Sequence, residues 1–316
     1  MGLFSLSLLP PALVAVIYKD GGGMAFIQAF VLCLILGFML WYPNRHYRKD
    51  LRTREGFLLV VLFWVVLGSI GAVPFIFSGQ PSLSLTDSFF ESFSALTTTG
   101  ATVIVGLDSL PKAILFYRHL LQWLGGMGII VLAVAILPVL GVGGMQLYRA
   151  EMPGPVKDSK MTPRIAETAK ALWYIYLALT AACAFAYWLA GMDGFDAICH
   201  SFSTIAIGGF STHDASIGYF DSPAINMICV VFLLIAALNF SLHFAAFSRR
   251  EINLKIYFRD AEFKALIAIQ LGLTAICFAT LYHSGIYDSP EETFDYALFQ
   301  AVSVSTTAGF GTESFH

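Results

Sequence analysis

The chain holds 316 residues, 57% of them hydrophobic and 12% charged, with a mean hydropathy of +0.73 and a formal net charge of −3. A soluble domain carries roughly 25% charged residues, and only 18 Lys+Arg and 21 Asp+Glu are available here to cover a surface. That excludes an ordinary cytosolic enzyme, a disordered chain and a basic nucleic-acid binder, and it leaves an all-α polytopic membrane protein.

The first apolar run, Leu3–Ile17, is shorter than the ~20 residues that cross the hydrocarbon. It carries Pro10-Pro11 and lacks the basic start and small-residue cleavage site of a signal peptide. It is therefore expected to be a tilted partial helix or to be preceded by further sequence. Longer runs follow at Met24–Tyr42, Gly56–Phe77, Ala113–Leu140, Ala171–Ala190, Ala224–Phe247 and Ala265–Tyr282, each predicted to span as one helix. The five cysteines sit singly inside apolar stretches, without metal-like spacing, and read as small buried hydrophobes.

Charge between the runs is ordered. Arg45, Arg48, Lys49, Arg52 and Arg54 form one basic cluster. Arg149, Lys157, Lys160, Arg164 and Lys170 form a second, and Arg249, Arg250, Lys255, Arg259 and Lys264 a third. Two runs separate consecutive clusters, so the positive-inside bias puts all three on the cytoplasmic side. The alternate connections carry acids, from Asp87 and Glu91 to Asp295 and Glu313, opposed only by Lys112 and Arg118. These acids either concentrate cations at an outer mouth or are ordinary loop residues.

The outer connections are too long for turns and too apolar for solvated loops. Each reads as a short helix of about three turns running into a Ser/Thr/Gly segment. Superimposing Gly100, Gly209 and Gly309 places Ser94, Ser203 and Ser303 in one column and Glu91, His200 and Gln300 in another. The period is near 100 residues, and two spans per unit keep every unit in the same orientation, as in a pore built around an axis. Non-helical backbone at membrane depth must be buried in protein or line a water-filled path. Glycine lets successive carbonyls point toward one axis, and such carbonyls can replace the water shell of a cation. Thr98-Thr99-Gly100, Ile207-Gly208-Gly209 and Thr307-Ala308-Gly309 fit a monovalent-cation filter without fixed carboxylates.

At these residues the sequence resembles the Trk/Ktr/HKT superfamily of potassium transporters. The resemblance rests on Phe89–Thr102, on Gln122-Trp-Leu-Gly-Gly-Met-Gly-Ile-Ile130, on Gly141–Pro155 and on Ser203–Asp214. The additional N-terminal hairpin is similar to the bacterial Trk branch. The resemblance implies four span–loop–span units around one pore, with the ion path lined by Thr98, Thr99 and Gly100, by Ile207, Gly208 and Gly209, and by Thr307, Ala308 and Gly309. Gly100 matches potassium-selective members; serine there accompanies sodium transport in some plant relatives. Implied too are potassium as transported substrate with no cofactor, a homodimer in the bacterial inner membrane, and a cytosolic nucleotide-binding regulatory subunit of the TrkA type. The basic clusters offer a docking surface for that subunit or for lipid headgroups. The rival expectations are a sodium or mixed-cation path and a non-conducting membrane scaffold. No nucleic-acid partner is expected.

Some residues have a second reading. Asn239 and His243 fall on one face of a predicted helix and either line a cavity or bond between helices. Glu91 is a functional candidate as an ionisable group at membrane depth, or a structural hydrogen bond that holds the glycine loop. Gly125, Gly126 and Gly128 are expected to permit close helix contact or bending. Gly141-Val-Gly-Gly lacks the βαβ context of a dinucleotide loop, and with no His-Glu-x-x-His and no nucleophile elbow the chain is not expected to be an enzyme.

The layout expected is a hairpin at 1–50, pore units at 51–148 and 149–252, and an incomplete third unit at 253–316, with the fourth absent. On that expectation the third unit's returning helix, its gating loop and a basic residue beneath the filter are missing. Residues 1–316 alone are accordingly expected not to restore growth of uptake-deficient cells on limiting potassium, whereas a longer protein is. Growth supported by 1–316 would refute the truncated ring.

Overall fold

The computed structural model of the protein describes residues 2–45, 53–136, 162–247, 253–287 and 289–312. All regular structure among these residues is helical. Four stretches are long and apolar enough to cross a membrane: Gly23–Asn44, Val60–Phe77, Lys170–Leu189 and Ala261–Ser284. The chain is thus an all-α polytopic membrane protein. Its contacts divide it into two compact bodies, Met1–Glu151 and Met152–His316. The stretch Gly141–Pro155 and the basic residues Arg48, Lys49, Arg52, Arg149, Lys157, Lys160, Arg249 and Arg250 lie outside the described residues.

In the N-terminal body a helical lead-in, Gly2–Ser5 and Leu6–Leu8, runs into α1 (Leu9–Tyr18). The leading apolar run is thus a short helix, closed by Lys19 in the left-handed conformation (φ 53°). The next residue, Asp20, ties this turn to a distant helix: its carboxylate accepts from Gly22 N–H at 2.9 Å and from Ala113 N–H at 2.8 Å. The latter N–H is one of those that a helix start leaves without an intrahelical partner. The rest of the body comprises α2 (Gly23–Asn44), α3 (Thr53–Gly71), α4 (Val73–Phe77), α5 (Leu85–Leu96) and α6 (Lys112–Ile136).

The predicted span Gly56–Phe77 is interrupted between α3 and α4. Pro74 has no N–H to continue the ladder, and its ring crowds the carbonyl one turn earlier. The Gly71 carbonyl beside the break accepts from the Tyr117 hydroxyl at 2.9 Å. That tyrosine is fully buried, with Phe26 and Phe75 at ring-centroid distances of 5.2 and 5.3 Å. Short helix α5 sits close against its neighbours. Ser92 Oγ donates to the Gly68 carbonyl at 2.7 Å, and a methyl at Gly125 would collide with the Leu96 carbonyl. The close approach expected of the glycines in α6 is thus found at Gly125.

The C-terminal body comprises α7 (Thr162–Leu189), α8 (Gly194–Ile205), α9 (Pro223–Ala236), α10 (Phe240–Phe247), α11 (Lys255–Arg259), α12 (Ala261–Ser284) and α13 (Pro290–Ser305). The predicted single span Ala224–Phe247 is corrected here, because the helix stops at Ala236 and restarts at Phe240. Asn239 lies in the break, so it shares no helix face with His243; its carbonyl instead accepts from Leu242 N–H at 2.8 Å. His243 repairs part of the interruption. Its Nε2 meets the Ile235 carbonyl at 3.0 Å and its Nδ1 the Tyr257 hydroxyl at 2.8 Å. A carbonyl only accepts, so Nε2 carries a proton. Elsewhere in this body Gln270 of α12 and Ser305 of α13 bond through both amide atoms, at 2.7 and 2.9 Å.

Replacing Gly125 by alanine forces α6 away from α5 and is expected to lower stability by about 1–3 kcal/mol. Gly128→Ala meets only the Trp64 ring at an ordinary 3.7 Å and is expected to be tolerated. Melting temperatures of the two variants in detergent check this.

Candidate functional site

Three short helices deliver the predicted segments in the same way. Helices α5, α8 and α13 begin with an N-cap, where Ser84, Asp193 and Ser289 accept from the N–H three residues on, at 3.1, 2.7 and 3.1 Å. They end one residue before Thr97, Ala206 and Thr306. Beyond each end the chain reverses by the same bond: Thr99 N–H to the Ser94 carbonyl at 2.9 Å, Gly208 N–H to that of Ser203 at 2.7 Å, and Ala308 N–H to that of Ser303 at 2.9 Å.

The backbone after the reversal is the unusual feature. Gly100, Gly209 and Gly309 have φ of 76°, 73° and 79°, and the residues two before them are left-handed as well: Thr98 at 55°, Ile207 at 54° and Thr307 at 67°. The residues between, Thr99, Gly208 and Ala308, do not share the positive φ. Left-handed φ at a β-branched residue is a genuine outlier, with a strain of order 1–3 kcal/mol. In an ordinary extended chain successive carbonyls alternate sides. Inverting φ at every second residue turns alternate peptide planes over, which favours carbonyls on one side. The sequence showed the glycines; the strained position two residues earlier left no signal in residue type.

Each strained segment is tied back onto its own helix. Ser94 Oγ donates to the Ala101 carbonyl at 2.5 Å and Ser303 Oγ to the Phe310 carbonyl at 2.7 Å. Ser203, in the same column, is fully buried. The second column also reaches its loop. Glu91 meets the Thr102 hydroxyl at 3.0 Å, His200 Nε2 the Ser211 hydroxyl at 2.9 Å, and Gln300 Nε2 the Thr312 hydroxyl at 3.2 Å. Glu91 therefore does hold the loop, and it has a partner that sequence reasoning missed. Arg118 Nε lies 2.7 Å from its carboxylate, and the pair's side chains are 1% and 0% exposed. The available signal was a lone arginine inside an apolar run.

In the C-terminal body the second and third segments touch. A methyl at Gly209 would collide with the Ala308 carbonyl, and one at Gly218 with the Thr312 carbonyl. Gly218 N–H donates to the Gly311 carbonyl at 3.1 Å, and Gly311 N–H to Ser216 Oγ at 3.2 Å. Asp196 accepts from the Thr212 hydroxyl at 2.8 Å and pairs with His213 Nε2 at 3.1 Å, while the His213 ring stacks on Tyr219 at 3.4 Å. Several of the outer acids thus serve structure: Asp193 caps a helix, and Glu91 and Asp196 are buried in bonds. Gly208 and Ala308 are buried, whereas Thr99, Thr307 and Gly309 are exposed.

Apolar membrane spans interspersed with strained, glycine-centred loops define a multi-pass membrane protein in which one loop geometry recurs three times. Residues 22–316 match the TrkH family, described as cation transport protein, and the chain belongs to that family. It is 68% identical over 315 residues to the Trk system potassium uptake protein TrkH of Vibrio parahaemolyticus, covering 100% of this chain and 65% of that protein. It is 65% identical over 312 residues to the Trk system potassium uptake protein TrkH of Escherichia coli, covering 99% of this chain and 64% of that protein. The crystal structure of the potassium transporter TrkH from Vibrio parahaemolyticus superimposes with a TM-score of 0.88 at 64% identity, covering 98% of this chain and 63% of that one. The chain thus spans just under two thirds of these relatives; it is a multi-pass protein of the bacterial inner membrane.

The geometry separates two otherwise identical substitutions. Gly309→Ala meets nothing within 4 Å and should cost only the left-handed penalty of about 1–2 kcal/mol. Gly209→Ala carries the same penalty and a backbone collision, and is expected to reduce folded protein in membranes far more. Quantified membrane abundance of the two variants decides.

Proposed function

We propose that the chain forms the larger part of a potassium-translocating subunit of Trk type. An N-terminal hairpin at 1–50 is followed by span–loop–span units at 51–148 and 149–252 and by the span and loop of a third, incomplete unit at 253–316. These run parallel around one axis. The observation that carries the reading is the alternation of φ sign at Thr98/Gly100, Ile207/Gly209 and Thr307/Gly309, in register in three loops. Main-chain oxygens of Thr98, Thr99 and Gly100, of Ile207, Gly208 and Gly209, and of Thr307, Ala308 and Gly309 then replace the hydration shell of the ion. The C-terminal ends of α5, α8 and α13 add partial negative charge behind them. With no carboxylate in these tripeptides, binding stays weak enough for the ion to leave. The names of the relatives and glycine at position 100 favour potassium over sodium as the cargo.

The same reading includes a homodimer and a cytosolic nucleotide-binding regulatory subunit of the TrkA type. Lys255, Arg259 and Lys264, exposed around α11, suit a docking surface on the cytoplasmic side, and equally an anionic lipid surface.

The test is ion competition. In the full-length protein expressed in uptake-deficient cells, Gly100→Ser is expected to reduce the preference for potassium over sodium in rubidium-uptake competition, without loss of protein from the membrane. Unchanged selectivity would remove the filter assignment and favour a mixed-cation path.

A further inference from the structure

The column that holds Glu91, His200 and Gln300 places a polar side chain nine residues before each loop glycine. In every case it reaches a hydroxyl just past that glycine. The post is shared and the chemistry is not: a carboxylate, an imidazole and an amide. The carboxylate is part of a buried ion pair with Arg118. Charge-assisted bonds are shorter and roughly twice as strong as neutral ones, and burial in a low-dielectric setting strengthens them further.

Around Thr102 the bonds converge. Its hydroxyl lies 3.0 Å from both Glu91 oxygens, which fixes it as donor to the carboxylate. The same oxygen accepts from Arg118 Nη2 at 2.9 Å and from Ile104 N–H at 3.1 Å. Glu91 Oε2 also accepts from Val103 N–H at 3.2 Å. The exit of the first loop is therefore held by one carboxylate on α5 and one guanidinium on α6, with Thr102 between them. Thr102 is two residues from Gly100, so any displacement of the loop moves against this set of bonds.

We propose that Glu91 and Arg118, acting through Thr102, are positioning residues that hold the first glycine loop in its strained form and thereby set its ion preference. The inference rests on the cation path proposed above and adds to it a determinant that touches no ion. A pair that merely stabilised the fold would affect how much protein reaches the membrane, and not which ion it prefers.

The experiment uses the full-length protein in uptake-deficient cells, with rubidium uptake measured under sodium competition and normalised to membrane abundance. Thr102→Val removes the hydroxyl at nearly constant shape, and Thr102→Ser restores it. The double variant Glu91→Gln/Arg118→Met removes both charges together, so that neither is left buried alone. Thr102→Val and the double variant are expected to lower the preference for potassium over sodium by about tenfold, as for coupled neighbours, and Thr102→Ser to retain it. Unchanged preference in Thr102→Val, or an equal fall in Thr102→Ser, overturns the inference. Wild-type protein without potassium flux would instead count against the cation path itself.

Discussion

Inside a bilayer a peptide N–H or C=O has no water to turn to, so each one must find its partner within the protein. This constraint accounts for several buried polar side chains in a chain that has few charges. Where Pro74 interrupts a span, Tyr117 donates to the Gly71 carbonyl. Where the helix after Ala236 is broken, His243 reaches back to Ile235. Where glycine loops leave the helical ladder, Ser94 and Ser303 donate to the carbonyls just past the glycine. Each of these side chains is buried, and each completes a backbone that could not otherwise remain irregular.

The irregular backbone is kept at a cost. Thr98, Ile207 and Thr307 occupy a conformation that a β-branched side chain resists. Strain of this kind persists only where the surroundings over-determine it. Here the surroundings are the reversal bond, the serine column and the second polar column, three independent ties on one short segment. The reversal bond and the second polar column recur in all three loops and the serine bond in the first and third, despite different tripeptides, so the local fold repeats a geometry more than a residue identity.

The three loops nevertheless differ in how they are held. The first is secured by a buried ion pair, and the second by His200 with Asp196, Thr212 and His213 close by. In the third the corresponding post is an amide, Gln300, at a longer 3.2 Å, and Ser216 and Gly218 bond the Gly311 backbone as well. The three loops are thus alike in their backbone and unequal in their supports.

The helical, membrane-embedded character and the location of the three loops were legible in the sequence. Composition reports the solvent a chain is made for, and glycine after a short apolar helix reports where the backbone must bend. The spans at Met24–Tyr42 and Ala265–Tyr282 followed from apolar length alone, for the same reason. The break at Ala237–Asn239 did not follow, because its residues are apolar enough to continue a span and the group that repairs it, His243, acts from the next helix. Nor did the partnership of Glu91 with Arg118, 27 residues apart, or the contact of Gly209 with Ala308. Local pattern is written in neighbouring residues, whereas a buried charge finds its counter-charge only when two helices pack. The sequence by itself determined that three loops must leave the helix, and the tertiary structure decided what holds them there.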